Sequence, residues 1–279
     1  MAVTSHSQPL RRLIRSKHAL ALPVTFLILL VSTLGIISVT YYLSIERINT
    51  QGQALKASVA QQNFLSLDEV ILSTLWQPGS SATFDLTNSG GLANIEPTGN
   101  NLAIAINDSL GIGENIFNSS LGEVTYQLPS LGSLATGPYL KGDSQTITNQ
   151  TGSSLSRLYI ANSNQGPEIQ LSYRPQVSYV TSGIENGKSV NDIRIYIINL
   201  NSSEPISWQG ELPLIISCTS TQVTTKTYDV SYQPENLAIT AQLDGINGSV
   251  SVPLSSTSNG AIIHIETVIS NVSIERWIR

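Results

Sequence analysis

The feature that most restricts this chain is a run of 27 residues without one charged side chain, Ala19 to Ile45, reading ALALPVTFLILLVSTLGIISVTYYLSI. A helix needs about 20 mostly apolar residues to cross a hydrocarbon core of about 30 Å. The run is therefore long enough to span a bilayer. A secretory signal carries an apolar core of only about 7–15 residues followed by a small-residue cleavage site, and neither condition is met. Arg11, Arg12, Arg15 and Lys17 precede the run, and no Asp or Glu occurs before Glu46. The positive-inside rule then places the N-terminus in the cytoplasm and everything after the run outside the cell membrane. The lipid bilayer is the first expected partner, with the basic head facing its anionic inner leaflet. Tyr41 and Tyr42 fall where an outer interfacial aromatic pair would sit.

The helical pattern continues past the apolar run. From Glu46 to Trp76 there is no Pro, and Gly52 is the only Gly. Apolar residues recur at Ile48, Leu55, Val59, Phe64, Leu67, Val70, Ile71 and Leu75, mostly at the spacings of an amphipathic helix. Pro78-Gly79 then ends the pattern. A helix continuous from Ala19 to Leu75 would be roughly 85 Å long at about 1.5 Å per residue. Pro23 fits a helix that starts close to Ala19, because Pro is tolerated in a first turn and costs about 3 kcal/mol in a helix interior.

From about residue 80 the apolar period changes from 3.6 to 2. Candidate strands cover 82–86, 102–106, 123–128, 157–161, 168–173, 176–181, 192–200, 212–218, 222–230, 237–243, 250–254 and 261–274, separated by Gly, Pro, Asn and Ser clusters such as Pro97-Thr98-Gly99-Asn100. Many short strands with turn signals between them point to an all-β, sandwich-like domain. The expected organisation is a basic leader over 1–18, a transmembrane and extended amphipathic helix over 19–76, and an extracellular β-rich domain over 77–279. That domain reads as one continuous region, with 136–156 as a long loop or a divider between two subdomains.

Composition narrows the chemistry. Only 12% of residues are charged, against about 25% in average soluble proteins, so Ser, Thr and Asn must supply most of the polar surface. Four of the 14 Lys and Arg residues lie in the first 18 positions, leaving ten against 19 Asp and Glu in the remainder, a net charge of -9. A nucleic-acid partner, which calls for a basic patch, is excluded as an expectation. Cys218 is the single cysteine, so neither an internal disulfide nor a Cys-based zinc site can form; its apolar neighbours mark it as a buried core residue. His264 is the one histidine on the expected outer side, and it sits inside a strand pattern. There is no Gly-x-Ser-x-Gly elbow, and Gly111-x-Gly113 is a turn rather than a phosphate-binding fingerprint. No catalytic, cofactor or metal site is expected, and the chain does not read as an enzyme. Six Asn-x-Ser/Thr sequons, at Asn107, Asn118, Asn149, Asn201, Asn247 and Asn271, all fall on the expected outer side.

The stretch Lys17-His18-Ala19-Leu20-Ala21-Leu22-Pro23-Val24-Thr25, leading into the apolar run, resembles the start of archaeal type IV pilins and pilin-like surface proteins. The resemblance implies a class III signal peptide cut between His18 and Ala19 by a membrane prepilin peptidase. It further implies a mature helix that packs into a filament core and a β-rich head on the filament surface, often N-glycosylated. Leu27, Ile28, Leu30, Val31, Leu34, Ile36 and Ile37 would then pack against other copies, with Gly35, Ser32 and Thr33 permitting close approach. The expected function is a structural subunit of a cell-surface filament. The alternative is a non-polymerising, membrane-anchored surface protein whose β domain binds a sugar, another cell or a surface layer.

Overall fold

The computed structural model describes residues 17–106, 113–128, 139–152, 154–164 and 166–277, with side-chain environments from Pro23 onward. The chain divides into two compact units, Met1–Gln53 and Ala54–Arg279. One helix, α1 (Lys17–Thr74), contributes to both. It is described from Lys17 and holds Pro23 inside it. The helix stops at Thr74 rather than Trp76. Trp76 takes a positive φ of 66°, and the Ser80 hydroxyl donates to the Thr74 carbonyl at 2.6 Å, satisfying an acceptor that helix termination leaves open.

In the first unit the described side chains of the apolar run are solvent-facing on every side of the helix, from Val24 at 50% through Phe26 at 69% to Tyr42 at 69%. Five hydroxyls in and just beyond this run are satisfied within the helix. Thr33, Ser38, Thr40, Ser44 and Thr50 each donate to the carbonyl four residues earlier, at 2.7–2.8 Å. Those bonds remove the cost of placing an unpaired hydroxyl in hydrocarbon.

The second unit is a helix segment with two β-sheets. Its strands are β1 (Ser81–Leu86), β2 (Leu92–Ile106), β3 (Glu114–Gln127), β4 (Tyr139–Lys141), β5 (Thr148–Asn149), β6 (Ser156–Ser163), β7 (Gly166–Tyr173), β8 (Gln176–Glu185), β9 (Lys188–Asn199), β10 (Ile206–Gln209), β11 (Leu212–Val230), β12 (Asn236–Leu243), β13 (Ile246–Pro253) and β14 (Ala261–Arg276). One sheet has the order β1-β11-β14-β9-β8-β5; the other runs β13-β12-β2-β3-β7-β6-β4, with β10 also paired to β2. Most pairs are antiparallel, but β9 and β14 are parallel over eleven residue pairs, Ala261↔Ser189 through Asn271↔Asn199. Period-2 alternation builds both sheets: Ile193, Ile195 and Ile197 of β9 are buried while Asp192, Arg194 and Tyr196 face outward.

Two apolar clusters fill the space between the sheets. One joins Ala57, Ala60, Phe64, Leu67 and Ile71 of α1 to Ile95, Tyr126 and Leu171 of one sheet and Leu214, Ile216 and Ile274 of the other. The second joins Leu102, Ile104 and Ile239 to Ile193, Ile195 and Ile263 without the helix. Each fully buried large apolar side chain contributes about 1.5–3 kcal/mol. The segment read as loop or divider takes part in the sheets, since Tyr139 pairs with β6 and Thr148 with β8.

Two bulges change the strand list. The runs 212–218 and 222–230 are one strand, with Thr219 inserted opposite the Val272–Asn271 step of β14. Even-numbered residues face inward on both sides of it, Leu214, Ile216 and Cys218 before and Tyr228 and Val230 after, and the largely exposed stretch between them is why the pattern reads as two strands. Pro97-Thr98-Gly99 is not a turn but a bulge inside β2, between the Glu96↔Glu123 and Asn100↔Leu121 pairs. Gly99 is required there, because a Cβ would stand 2.3 Å from Cγ of Glu123.

Candidate functional site

Three places stand out for their chemistry. The first is the exposed apolar part of α1. All eight residues expected to pack lie in it; Leu27, Ile28, Leu30, Val31, Leu34, Ile36 and Ile37 are each 49–68% exposed, and nothing lies within 4 Å of where a Cβ on Gly35 would be. Beyond the run, Ile48 and Leu55 stay 66% and 67% exposed at a seven-residue spacing, with Val59 at 38%. The opposite stripe, Ala57, Ala60, Phe64, Leu67 and Ile71, is buried in the domain core. Within the second unit the helix therefore carries apolar residues on two faces, one of them uncovered. His18 and Ala19 fall in the helical backbone, and the leader ahead of residue 17 lies outside the described residues.

The second place is a buried polar pin that sequence reading missed. Asp68 is fully buried on α1. Its Oδ1 accepts from the Ser156 hydroxyl at 2.7 Å and the Tyr173 hydroxyl at 2.9 Å, and its Oδ2 pairs with Lys141 Nζ at 2.5 Å. Burial, with Asp68 close by, holds the Tyr173 phenol well above its usual range. Next to Tyr173, the buried Arg174 pairs with Asp143 and donates to the carbonyls of Gln145 and Ser154 at 2.8 and 3.0 Å. The signal was present in the sequence: Phe64, Leu67, Asp68 and Ile71 share one helical face at spacings of three, four and seven, so the period itself puts the acid on the apolar side. These groups fix the helix segment to strands β6 and β7, and Asp68, Tyr173 and Arg174 lie too deep to meet a solute.

The third is a groove of about 520 Å³ on the outer face of the six-stranded sheet. Its floor is two cross-strand pairs brought together by the parallel register of β9 and β14. His264 Nδ1 lies 3.0 Å from Asp192 Oδ1, and Arg194 Nε donates to Glu266 Oε2 at 2.5 Å. Against an ionised Asp192 carboxylate, which only accepts, His264 Nδ1 is the donor. Tyr196 adds an aromatic ring, held edge-on against Trp76 at 5.3 Å, and Ser178 and Thr225 add hydroxyls. Gln150 closes one rim by accepting from the Tyr179 amide at 3.1 Å. Sequence reading left His264 as a strand histidine; its partner lies 72 positions away, across a parallel pairing that local pattern does not reveal.

The sequons separate by environment. Asn107 lies outside the described residues. Asn118 and Asn247 are exposed, while Asn149 and Asn201 are half-buried. Asn149 Oδ1 accepts from the amide and hydroxyl of Thr151 at 3.2 and 3.0 Å, and its Nδ2 makes no hydrogen bond among the described residues. Asn271 is 9% exposed, donates to Ser220 at 3.0 Å and accepts from Asn199 at 3.3 Å. It holds the β11 bulge and has no open acceptor nitrogen. Cys218 is buried. Among the described residues no group of three or more His, Cys, Asp or Glu is arranged to hold a metal ion. No family model matches this chain, and neither does any curated protein or any solved structure.

Proposed function

We propose that the chain is a pilin-like structural subunit of a cell-surface filament, cut between His18 and Ala19 by a prepilin peptidase and assembled through α1. One observation carries the reading: the helix is apolar and uncovered over a membrane length, and its uncovered stripe continues through Ile48, Leu55 and Val59 after the apolar run has ended. A bilayer accounts for the run itself, which is long and apolar enough to cross one. It does not account for apolar side chains beyond Glu46 and Arg47, which call for a neighbouring helix. A second copy of the chain supplies one, displaying the same stripe. In this account the N-terminus begins in the cytoplasm, the β domain is extracellular, and Asn118, Asn149, Asn201 and Asn247 are the sequons open to carry glycans.

The test is electron microscopy of material sheared from cells, with peptide mapping of the sheared fraction. Filaments containing this chain are expected. Recovery solely with the membrane fraction would favour the second reading, a fixed surface-binding protein, for which the polar groove on the six-stranded sheet is the supporting feature.

A further inference from the structure

We infer that the groove on the outer face of the six-stranded sheet is a binding site for a neutral carbohydrate. The volume, about 520 Å³, falls within the roughly 300–1,000 Å³ of small-molecule sites. Its floor carries paired charges that are only half used. In each pair one carboxylate oxygen is engaged, leaving Asp192 Oδ2, Glu266 Oε1, His264 Nε2 and those N–H groups of Arg194 that Glu266 and Tyr196 do not take. Donors and acceptors therefore alternate over neighbouring strands, about 4.8 Å apart. A sugar hydroxyl both donates and accepts, so a row of hydroxyls matches such an array where a purely accepting or purely donating ligand does not.

The charge argues against the other ligand classes. Two carboxylates, Asp192 and Glu266, stand against one guanidinium, Arg194, which disfavours phosphate, sulfate and acidic sugars. The pairs are held by each other rather than converging on one point, so the site does not suit a metal ion. Tyr196 offers the aromatic surface on which the apolar face of a pyranose ring rests, while the rest of the floor is too polar for a lipid or an apolar peptide. The inference is independent of filament assembly, since an uncut single-span anchor would display the same groove.

The structure includes its own reporter, because Trp76 packs edge-on against Tyr196. The experiment titrates the full chain, in lipid nanodiscs, with maltotriose, chitotriose and mannotriose, following tryptophan emission, with trigalacturonate as the acidic comparison. At least one neutral trisaccharide is expected to give a saturable change, absent in Trp76→Phe. Glu266→Gln and Asp192→Asn should each weaken binding on the order of tenfold, the scale of one hydrogen bond to a charged group, with an unchanged melting temperature. Isothermal titration of the same variants separates lost binding from a lost reporter. No saturable response to any of the three, equal binding by the variants, or binding of trigalacturonate alone would overturn the assignment.

Discussion

Residues 23–45 and residues 54–74 belong to one helix but place their apolar side chains in opposite circumstances. In the later segment Ala57, Ala60, Phe64, Leu67 and Ile71 recur at three- and four-residue intervals and are almost completely buried by the chain's own strands. In the earlier segment Phe26 through Tyr42 have no polar face to oppose them and are uncovered. The difference teaches where each half obtains its stability. A helix gains most of its free energy from burying a face rather than from propensity, so the later half is held by its domain, and the earlier half needs lipid or another chain.

Phenylalanines placed in the two halves give the sharpest contrast. Phe64→Ala should lower unfolding stability by about 3–5 kcal/mol, whereas Phe26→Ala should leave it within about 0.5 kcal/mol; urea unfolding of the full chain in micelles measures both. Equal losses would erase the distinction. Asp68→Ala removes the acid beneath Lys141, Ser156 and Tyr173 and should cost about 3 kcal/mol or more by stranding buried donors, with Asp68→Asn costing less; the same unfolding series checks it. Leu30→Arg should leave the β domain's melting unchanged but oppose membrane insertion by about 2.5–3.5 kcal/mol, read from the fraction integrated in a membrane-insertion assay. Gly35→Leu meets no atom of its own chain within 4 Å, so insertion should be normal. Overpacking between copies, about 1–3 kcal/mol, should still lower filament yield, and an unchanged yield would count against packing through that face.

The smallest effect is on pH. Burial raises the Glu123 carboxyl, against hydrogen bonds from Gln170 and Asn100 that lower it, and burial raises Glu168 as well. Raised acids bind protons earlier in the folded state, so their contribution grows as pH falls through those raised values toward 4.5. Glu114 behaves oppositely. Hydrogen bonds from Lys226 and Tyr228 hold it low, and its contribution is lost as pH falls below 4.5. The melting temperature should therefore rise on mild acidification and fall below about pH 4.5, with Glu123→Gln flattening the rise. A melting temperature that climbs steadily from pH 4.5 to 7 would contradict this.

The long helix and the all-β character were legible because each follows from one local period. Strand centres such as 192–200 and 237–243 were legible for the same reason. What escaped was set by distant residues. The first halves of β2 and β3 lack clean alternation in their residue types, and β10, β4 and β5 are only four, three and two residues long. The two bulges hid strand continuity because each interrupts the local alternation: the one in β2 shifts the buried positions from Ala93 and Ile95 to Asn100, Leu102 and Ile104, and the one in β11 opens a largely exposed stretch before Val230. At the candidate groove, His264 was visible as a residue, but the pairing with Asp192 depends on a parallel register completed only after β10 to β13 have been threaded. Asp68 shows the reverse case: the period gave its position, and only the packed strands supplied its partners.

The central claim is that α1 leaves the bilayer to pack with other copies, and a charged leader at its tip would oppose that exit. The most direct measurement is the N-terminal residue of the protein purified from its native membrane, by peptide mass spectrometry. The account predicts Ala19 as the first residue. Peptides that retain Lys17-His18 joined to Ala19 in the mature protein would contradict it and leave a fixed single-span anchor.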